Sequence, residues 1–311
     1  MTSSARSAID VLCVGLATYD LVMTVDRHPG PDEKCFASGF TACGGGPAAN
    51  AAVTVARLSG TSAFAGYLGN DPHGDRHFRE FAEEGIDTRW VVRGSQPAPL
   101  SVILVKPNGD RTVVSHKAKM PDLMPKDLDM SSFLPKSMLF DGHQPTLSLE
   151  LAKTAKSRKI PIILDAGSVH EGTLKLLPLT DYLVTSCRFA QDFTGGLNGQ
   201  EALRALSIHS PFVVITCGEN GLVWKNGADE GAMPCFPVKA IDTTGAGDTF
   251  HGAFALALAE GREPLEALRY ASAAAALCCT RIGARAGIPT GKEVTAFAVA
   301  RGLQFQHRRV K

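Results

Sequence analysis

Ile241-Asp242-Thr243-Thr244-Gly245-Ala246-Gly247-Asp248-Thr249-Phe250 is the stretch on which the reading of the whole chain turns. Behind it Phe250, Phe254 and Leu258 recur at helical spacing, which predicts a helix through Ala259. The glycines then stand where a loop enters that helix. Small residues at 245 to 247 let the backbone come close to a ligand. The N–H groups of Gly245, Ala246 and Gly247, with the positive end of the helix dipole, would make an anion site. Asp248 falls in the first helical turn. A carboxylate has no affinity for phosphate, but beside an anion cradle it can accept the proton of a hydroxyl as phosphate arrives. A glycine-rich turn with an acidic helix cap is the other reading these residues allow.

Working outward, short apolar runs alternate with helical patterns. Val11 to Leu16, Ser62 to Leu68, Ile160 to Leu164, Tyr182 to Thr185 and Phe212 to Thr216 read as buried strands. Pro47 to Leu58, Asp75 to Glu84, Leu149 to Ser157 and Gln200 to Leu206 read as helices between them. Such alternation predicts a parallel sheet covered on both faces. Two regions break the rhythm. Asp20 to Thr41 is interrupted by His28-Pro29-Gly30-Pro31, and Pro97 to Lys117 carries a hairpin signal at Asn108-Gly109. Both are expected to form a small sheet that stands off the main domain and covers a site as a lid. The expected division is 8–20 with 44–95 and 120–305 for the main domain, and 21–43 with 96–119 for the lid.

Composition narrows the classes. The chain has 311 residues, 44% hydrophobic and 20% charged, as a globular protein does. Thirty-two basic residues balance thirty-one acidic ones, which argues against a dedicated nucleic-acid or membrane-surface protein. The longest apolar run falls far short of a membrane span, and the polar start, Met1 to Asp10, offers no secretory region. Eight cysteines form no CxxC pair, so zinc is a poor reading; free thiols in a reducing cytoplasm are expected. The basic tail from Gln306 to Lys311 reads as a solvated terminus.

The Asp-Thr-Thr-Gly-Ala-Gly-Asp-Thr-Phe stretch, together with Gly44-Gly45-Gly46-Pro47-Ala48-Ala49-Asn50-Ala51-Ala52, resembles the two signatures of the ribokinase-like, or PfkB-type, carbohydrate kinases. The likeness spans roughly residues 9 to 300. It implies an α/β fold, a ribokinase-like three-layer sandwich with a mostly parallel central sheet and a small β lid. It implies ATP and Mg2+, and leaves a monovalent cation such as K+ open. By resemblance Asp248 is the general base, Asp20, Gly45, Gly46 and Asn50 line the sugar site, and Ser186, Thr216, Gly218, Gly221 and Thr244 face the nucleotide. No Walker-type loop is present, so the nucleotide must be held otherwise. Asp20 follows the first strand, where a carboxylate can accept hydrogen bonds from two sugar hydroxyls. Lys34 is either a solvated lysine at the end of a polar stretch or, by resemblance, placed as in sugar kinases whose substrates carry an anionic group.

The sequence also departs from the family's pattern. Ser186 and Phe189 stand where relatives commonly carry an Asn and a metal-organising Glu, so the metal residues are not assigned. Arg281 and Arg285, in a glycine-rich loop, are candidate contacts for a phosphate, with surface arginines at a helix end as the alternative. That loop resembles the one in bacterial sulfofructose kinases, which points to a fructose-like ketose or an anionic derivative. The polar anion-binding positions of that subgroup are His116 and His143 here. His73, His77 and His170 are expected to be structural or solvent-facing, and His251 either tunes the site or packs. A nucleoside or other small-alcohol kinase, with Phe36 and Phe40 as a base slot, and a non-catalytic sugar-binding protein are the rival readings. An exposed lid edge would suit a homodimer.

Overall fold

The computed structural model describes residues 9–116, 119–128 and 134–305; residues 1–8 of the polar start and the basic tail lie outside them. The chain begins with β1 (Val11–Gly15), β2 (Thr18–Thr24), β3 (Gly39–Gly45), α1 (Pro47–Arg57), β4 (Ser62–Gly69), α2 (Pro72–Glu83), β5 (Asp87–Gly94), β6 (Leu100–Val105) and β7 (Arg111–His116). It continues with β8 (Ser137–Phe140), α3 (Pro145–Ser157), β9 (Ile162–Ala166), α4 (Glu171–Leu176), β10 (Tyr182–Ser186), α5 (Cys187–Thr194), α6 (Gly199–Leu206) and β11 (Phe212–Thr216). The last elements are β12 (Leu222–Asn226), β13 (Asp229–Met233), α7 (Ala246–Ala259), α8 (Pro264–Cys278), α9 (Ala284–Gly287) and α10 (Gly291–Val299).

Side-chain alternation along the strands sorts the core into two layers. Val11 and Cys13 of β1 point to one side, where Phe64, Val184 and Val214 meet α1, α7 and α8. Leu12 and Val14 point to the other, where Ile162, Leu183 and Val213 meet α3, α4, α5 and α6. The sheet between them runs β13-β12-β11-β10-β9-β8-β1-β4-β5, with every neighbouring pair parallel except β11–β12 and β12–β13, which are antiparallel. A second sheet, β3-β2-β6-β7, is antiparallel apart from the β2–β6 pair. The parallel strands therefore end together, and the loops after β1, β8, β9, β10 and β11 share one edge, where open α/β sheets bind ligands.

Local chemistry shifted several boundaries. Asp71 caps α2 by accepting from the His73 and Gly74 N–H groups, each at 2.9 Å, so the helix starts at Pro72, before the expected Asp75. Helix α7 starts at Ala246, inside the glycine turn, which makes Asp248 its third residue. Strand β2 begins at Thr18, and Asp20 pairs with Cys43 and Ser101. Asp20, Gly44 and Gly45 thus lie in the second sheet, although they were assigned to the main domain. The hairpin β12–β13 is not among the expected strands, although Asn226-Gly227 at its turn is the same kind of signal as Asn108-Gly109; its outer strand is polar and largely exposed.

The thiols depart from expectation too. Cys187 and Cys217 form a disulfide, with Cα atoms 5.2 Å apart, while the other six cysteines are free. The two partners follow neighbouring strands β10 and β11, 30 residues apart, a proximity that only the sheet order reveals. No helix among the described residues is long and apolar enough to cross a membrane.

Candidate active site

The Gly245–Gly247 turn enters a helix where its sequence predicts one. Gly245 takes a left-handed conformation, φ 77°, as the N-cap of α7, and a Cβ there would press on Ala284. Asp242, buried, accepts from the Thr244 N–H at 2.8 Å and its hydroxyl at 2.6 Å, and from the Gly283 N–H at 2.8 Å. One carboxylate therefore pins the turn to the loop that leads into α9. The Ala246 N–H closes the turn on Thr243 O at 3.3 Å, so this amide is not available to an anion. The N–H groups of Gly245, Gly247 and Asp248 have no protein partner among the described residues. Beyond Gly247 there is open space, with nothing within 4 Å of a Cβ built there.

That space belongs to a cavity of about 540 Å³ lined by Thr216, Gly218, Gly221, Gly247, Phe250 and Ala275, among others. Three of the expected nucleotide-side residues are therefore on its wall. Ser186 and Thr244 are not. The Ser186 hydroxyl caps α5, accepting from Phe189 N–H at 3.0 Å and donating to Gly167 O at 3.1 Å, and the Thr244 hydroxyl is spent on Asp242. The β7 end of the second sheet reaches this region through Arg111, whose guanidinium donates to the Thr243 hydroxyl at 2.7 Å.

Asp248 faces the other way as well. Its carboxylate accepts from the Asn50 amide at 2.7 Å. Burial pushes its pKa up, the nearby Asp165 carboxylate adds to the rise, and the Asn50 hydrogen bond opposes it. Asp165 is itself raised by burial and by Asp141. His251, buried, has Nδ1 at 2.6 Å from Gly247 O and 3.4 Å from Asp165, and Nε2 at 3.2 Å from Val184 O. It ties the first turn of α7 to β9 and β10, and burial pushes its pKa down.

Asp20, an expected sugar-site residue, is buried and hydrogen-bonded by the Thr18 hydroxyl at 2.8 Å. Burial raises its pKa; the Thr18 bond, Arg285 and Ser101 pull it back. Gly45 is required here because a Cβ would collide with the Asp20 carboxylate. Gly46, φ 98°, precedes Pro47 at the start of α1. Alternation puts Ser115 on the Asp20 face, its hydroxyl 3.0 Å from that of Ser101. His116 and Phe40 fall on the opposite face, so neither points at Asp20. Lys34 lies in the exposed β2–β3 connection with its ammonium 5.1 Å from the Phe36 ring centre. Its contacts are there, away from Asp20.

His143 sits after β8, where its N–H donates to Asp141 at 2.9 Å and its ring stacks on His170, 4.6 Å between centres. Asp141 was missed. It accepts from Leu16 N–H at 2.8 Å and Ala48 N–H at 3.1 Å, joining the β1 exit to the start of α1. Its signal was an aspartate followed by glycine after an apolar run, the same cue that Asp165-Ala166-Gly167 carries. His77 was also underrated: it is fully buried and lies 2.7 Å from an Arg285 nitrogen. Arg285 is buried in the site, whereas Arg281 is exposed and paired with Glu293 on α10.

No three His, Cys, Asp or Glu side chains among the described residues converge as a metal cage.

Known proteins share this fold and much of this sequence. Residues 8–291 match the pfkB family carbohydrate kinase model. The chain is 32% identical over 289 residues to a ribokinase of Bacillus subtilis, covering 92% of this chain and 98% of that one. The ribokinase structure from Thermotoga maritima superposes with a TM-score of 0.83 at 30% identity, over 93% of this chain and 99% of the other. The Arabidopsis thaliana ribokinase complexed with ribose and ATP gives 0.80 at 26% identity, over 93% and 98%. The fold is ribokinase-like, and the chain belongs to the pfkB family of carbohydrate kinases, as an ATP-dependent enzyme that phosphorylates a sugar.

Proposed function

We propose that this kinase transfers the γ-phosphoryl group of ATP to a hydroxyl of a fructose-like ketose, with Asp248 as general base. The observation that carries the reading is the position of Asp248 in the first turn of α7, beside the unpaired amides of Gly245 and Gly247 and the open space at Gly247, with its carboxylate on the Asn50 amide and within the electrostatic reach of Asp20. The sugar hydroxyl donates its proton to the Asp248 carboxylate. Its oxygen forms the new bond to the γ-phosphorus as the bridging P–O bond breaks, and ADP leaves with that electron pair. The amides of Gly245, Gly247 and Asp248 receive charge that develops on the phosphoryl oxygens. A base whose pKa is raised toward neutrality takes a proton more readily than an ordinary aspartate. Magnesium would arrive on the nucleotide phosphates, and a K+ requirement is a matter of replacing K+ by Na+ in the assay.

Asp20, Asp165 and Asp248 all act on this region, against Arg285 as the nearby cation. That balance favours a neutral sugar over an anionic derivative, and the solvent-facing placement of Lys34 agrees. The outward position of Phe40 and the exposure of Phe36 remove the aromatic slot that a nucleoside would need. We also infer a homodimer through the outer face of the second sheet, where Phe40 and Val114 are 63% and 65% exposed. A cytoplasmic location suits the six free thiols, and the Cys187–Cys217 bond speaks against it.

The test is an ADP-release screen with fructose, fructose phosphates, sulfofructose, ribose, tagatose and adenosine, compared by kcat/KM. Fructose or tagatose as the best acceptor supports the reading. Ribose or adenosine as the best acceptor removes the ketose assignment, and a strong preference for the phosphates or sulfofructose removes the neutral one.

A further inference from the structure

Arg285 is 6% exposed, and it lacks a hydrogen-bonded acidic partner among the described residues. Its Nε donates to Asn50 Oδ1 at 2.9 Å, and one terminal nitrogen donates to His77 Nε2 at 2.7 Å. The other terminal nitrogen, Nη1, is buried without a partner. Isolating a cation from water in this way is expensive. Asn50 is 3% exposed and lies between two groups that cannot exchange roles. A guanidinium only donates, and an ionised carboxylate only accepts. Asn50 must therefore turn its oxygen to Arg285 and its nitrogen to Asp248. Both ends of the amide are fixed by chemistry, which removes the usual ambiguity of its orientation.

The scaffold holds Arg285 from several sides. Arg57 of α1 donates to the carbonyl oxygens of Arg285 and Ile288, and pairs with Glu84. Asp242 anchors the Gly283 end of the same loop. Glu80 of α2, Cys43 of β3, Glu84 and Arg57 face the guanidinium electrostatically, and His77, whose burial holds it neutral, accepts from it. Around Asp248 stand Asp165 of β9, His251 of α7, Asp20 of β2 and Asn50 of α1.

We infer that Arg285 is a positioning residue that locks the Asn50 amide so that its N–H faces Asp248 and keeps the base ionised. This deepens the proposed role of Asp248 and rests on it. Loss of the lock lets Asn50 rotate, takes a donor from the carboxylate, and leaves fewer molecules with a free base at neutral pH.

The test needs no identified sugar. The free protein, with 13C-labelled aspartate carboxyls, is titrated by NMR, and the Asp248 signal is assigned by its loss in Asp248→Asn. In Arg285→Met the Asp248 midpoint should rise by about one pH unit, the scale of one hydrogen bond to a charged group. In Arg285→Gln, which retains a donor for Asn50 but no charge, the rise should be smaller. An unchanged midpoint in folded Arg285→Met overturns the inference, and equal rises in both variants reduce the effect to charge alone and overturn the lock. If Arg285→Met does not fold, Asn50→Leu replaces it: the midpoint should rise there too, and no rise overturns the inference. Kinetics separate this result from the mechanism. With the best sugar of the screen, Arg285→Met should lose kcat at neutral pH and recover it at alkaline pH, whereas a rise in KM alone contradicts positioning. If Asp248→Asn keeps wild-type turnover, the base assignment has failed independently of Arg285.

Discussion

Two glycine-rich turns lead into two helices that pack on each other, and they use glycine for opposite ends. At Gly44–Gly46, before α1, the room a side chain would take is already filled. A Cβ on Gly45 meets Asp20, one on Gly44 meets His77 and Glu80, and the Gly44 N–H is bonded to Glu80 at 2.7 Å. At Gly245–Gly247, before α7, the space beyond Gly247 is empty and three amides are unspent. The first turn brings acidic side chains close to where, in the proposed mechanism, the sugar hydroxyls bind. The second leaves room and donors for an anion. Similar composition thus yields one acceptor wall and one donor wall, with Asp248 between them.

The comparison breaks first at Asp248. Asp248→Asn should fold as the wild type does, by circular dichroism and Tm, and lose about 10²-fold or more in kcat, as removal of a positioned base does. Turnover within a few fold of wild type would dissolve the division between the walls. Gly247→Val tests the donor wall alone. Its Cβ meets no neighbour, so the fold should stand, while the side chain fills the anion space. A drop of about 10²-fold in kcat/KM for ATP is expected, the scale of losing an anion-hole donor.

Asp20→Asn tests the acceptor wall. It should raise the sugar KM by about 10- to 100-fold, as loss of a charged hydrogen-bond acceptor does, with the ATP KM held near wild type. A change in the ATP KM instead would mean that the walls are not separate. Asp165→Asn sharpens the electrostatics between them. The acid limb of kcat/KM should lie above the ordinary carboxylate range in wild type and move to lower pH in the variant, because a like charge beside Asp248 is gone. Both carboxyls are raised in the folded state, so they bind protons more tightly there than when unfolded. Their contribution to stability is present at low pH and falls as pH rises through the raised values. Asp165→Asn should therefore raise Tm at pH 8 relative to wild type. The smallest effect is expected at Arg281→Ala. Its exposed pair with Glu293 contributes about 0–1 kcal/mol or less, and kcat and KM should be unchanged.

How much of this was legible depended on distance along the chain. The α7 turn and Asp248 were readable because loop, cap and helix are consecutive. Five of the nine strands of the main sheet, β1, β4, β9, β10 and β11, were readable because buried parallel strands are continuous apolar runs; β5, β8, β12 and β13 were not read. The lid hairpin carried Asn108-Gly109. What failed was whatever depends on register or on remote partners. His116 and Ser115 differ by one residue, and that single step decides which face of β7 each occupies. Asp141 serves amides 125 and 93 residues away, and Arg285 meets Asn50 across 235 residues. No local pattern encodes such meetings. Arg281 and Arg285 look alike in sequence, but α10 offers Glu293 to one and the core takes the other.

The most direct measurement is a crystal structure with a non-hydrolysable ATP analogue, Mg2+ and fructose bound. The terminal phosphate should accept hydrogen bonds from the Gly247 and Asp248 amides, with one sugar hydroxyl on the Asp248 carboxylate and in line with phosphorus. A terminal phosphate bound away from the α7 turn, or a sugar whose hydroxyls all miss Asp248, would contradict the assignment of this residue as the base.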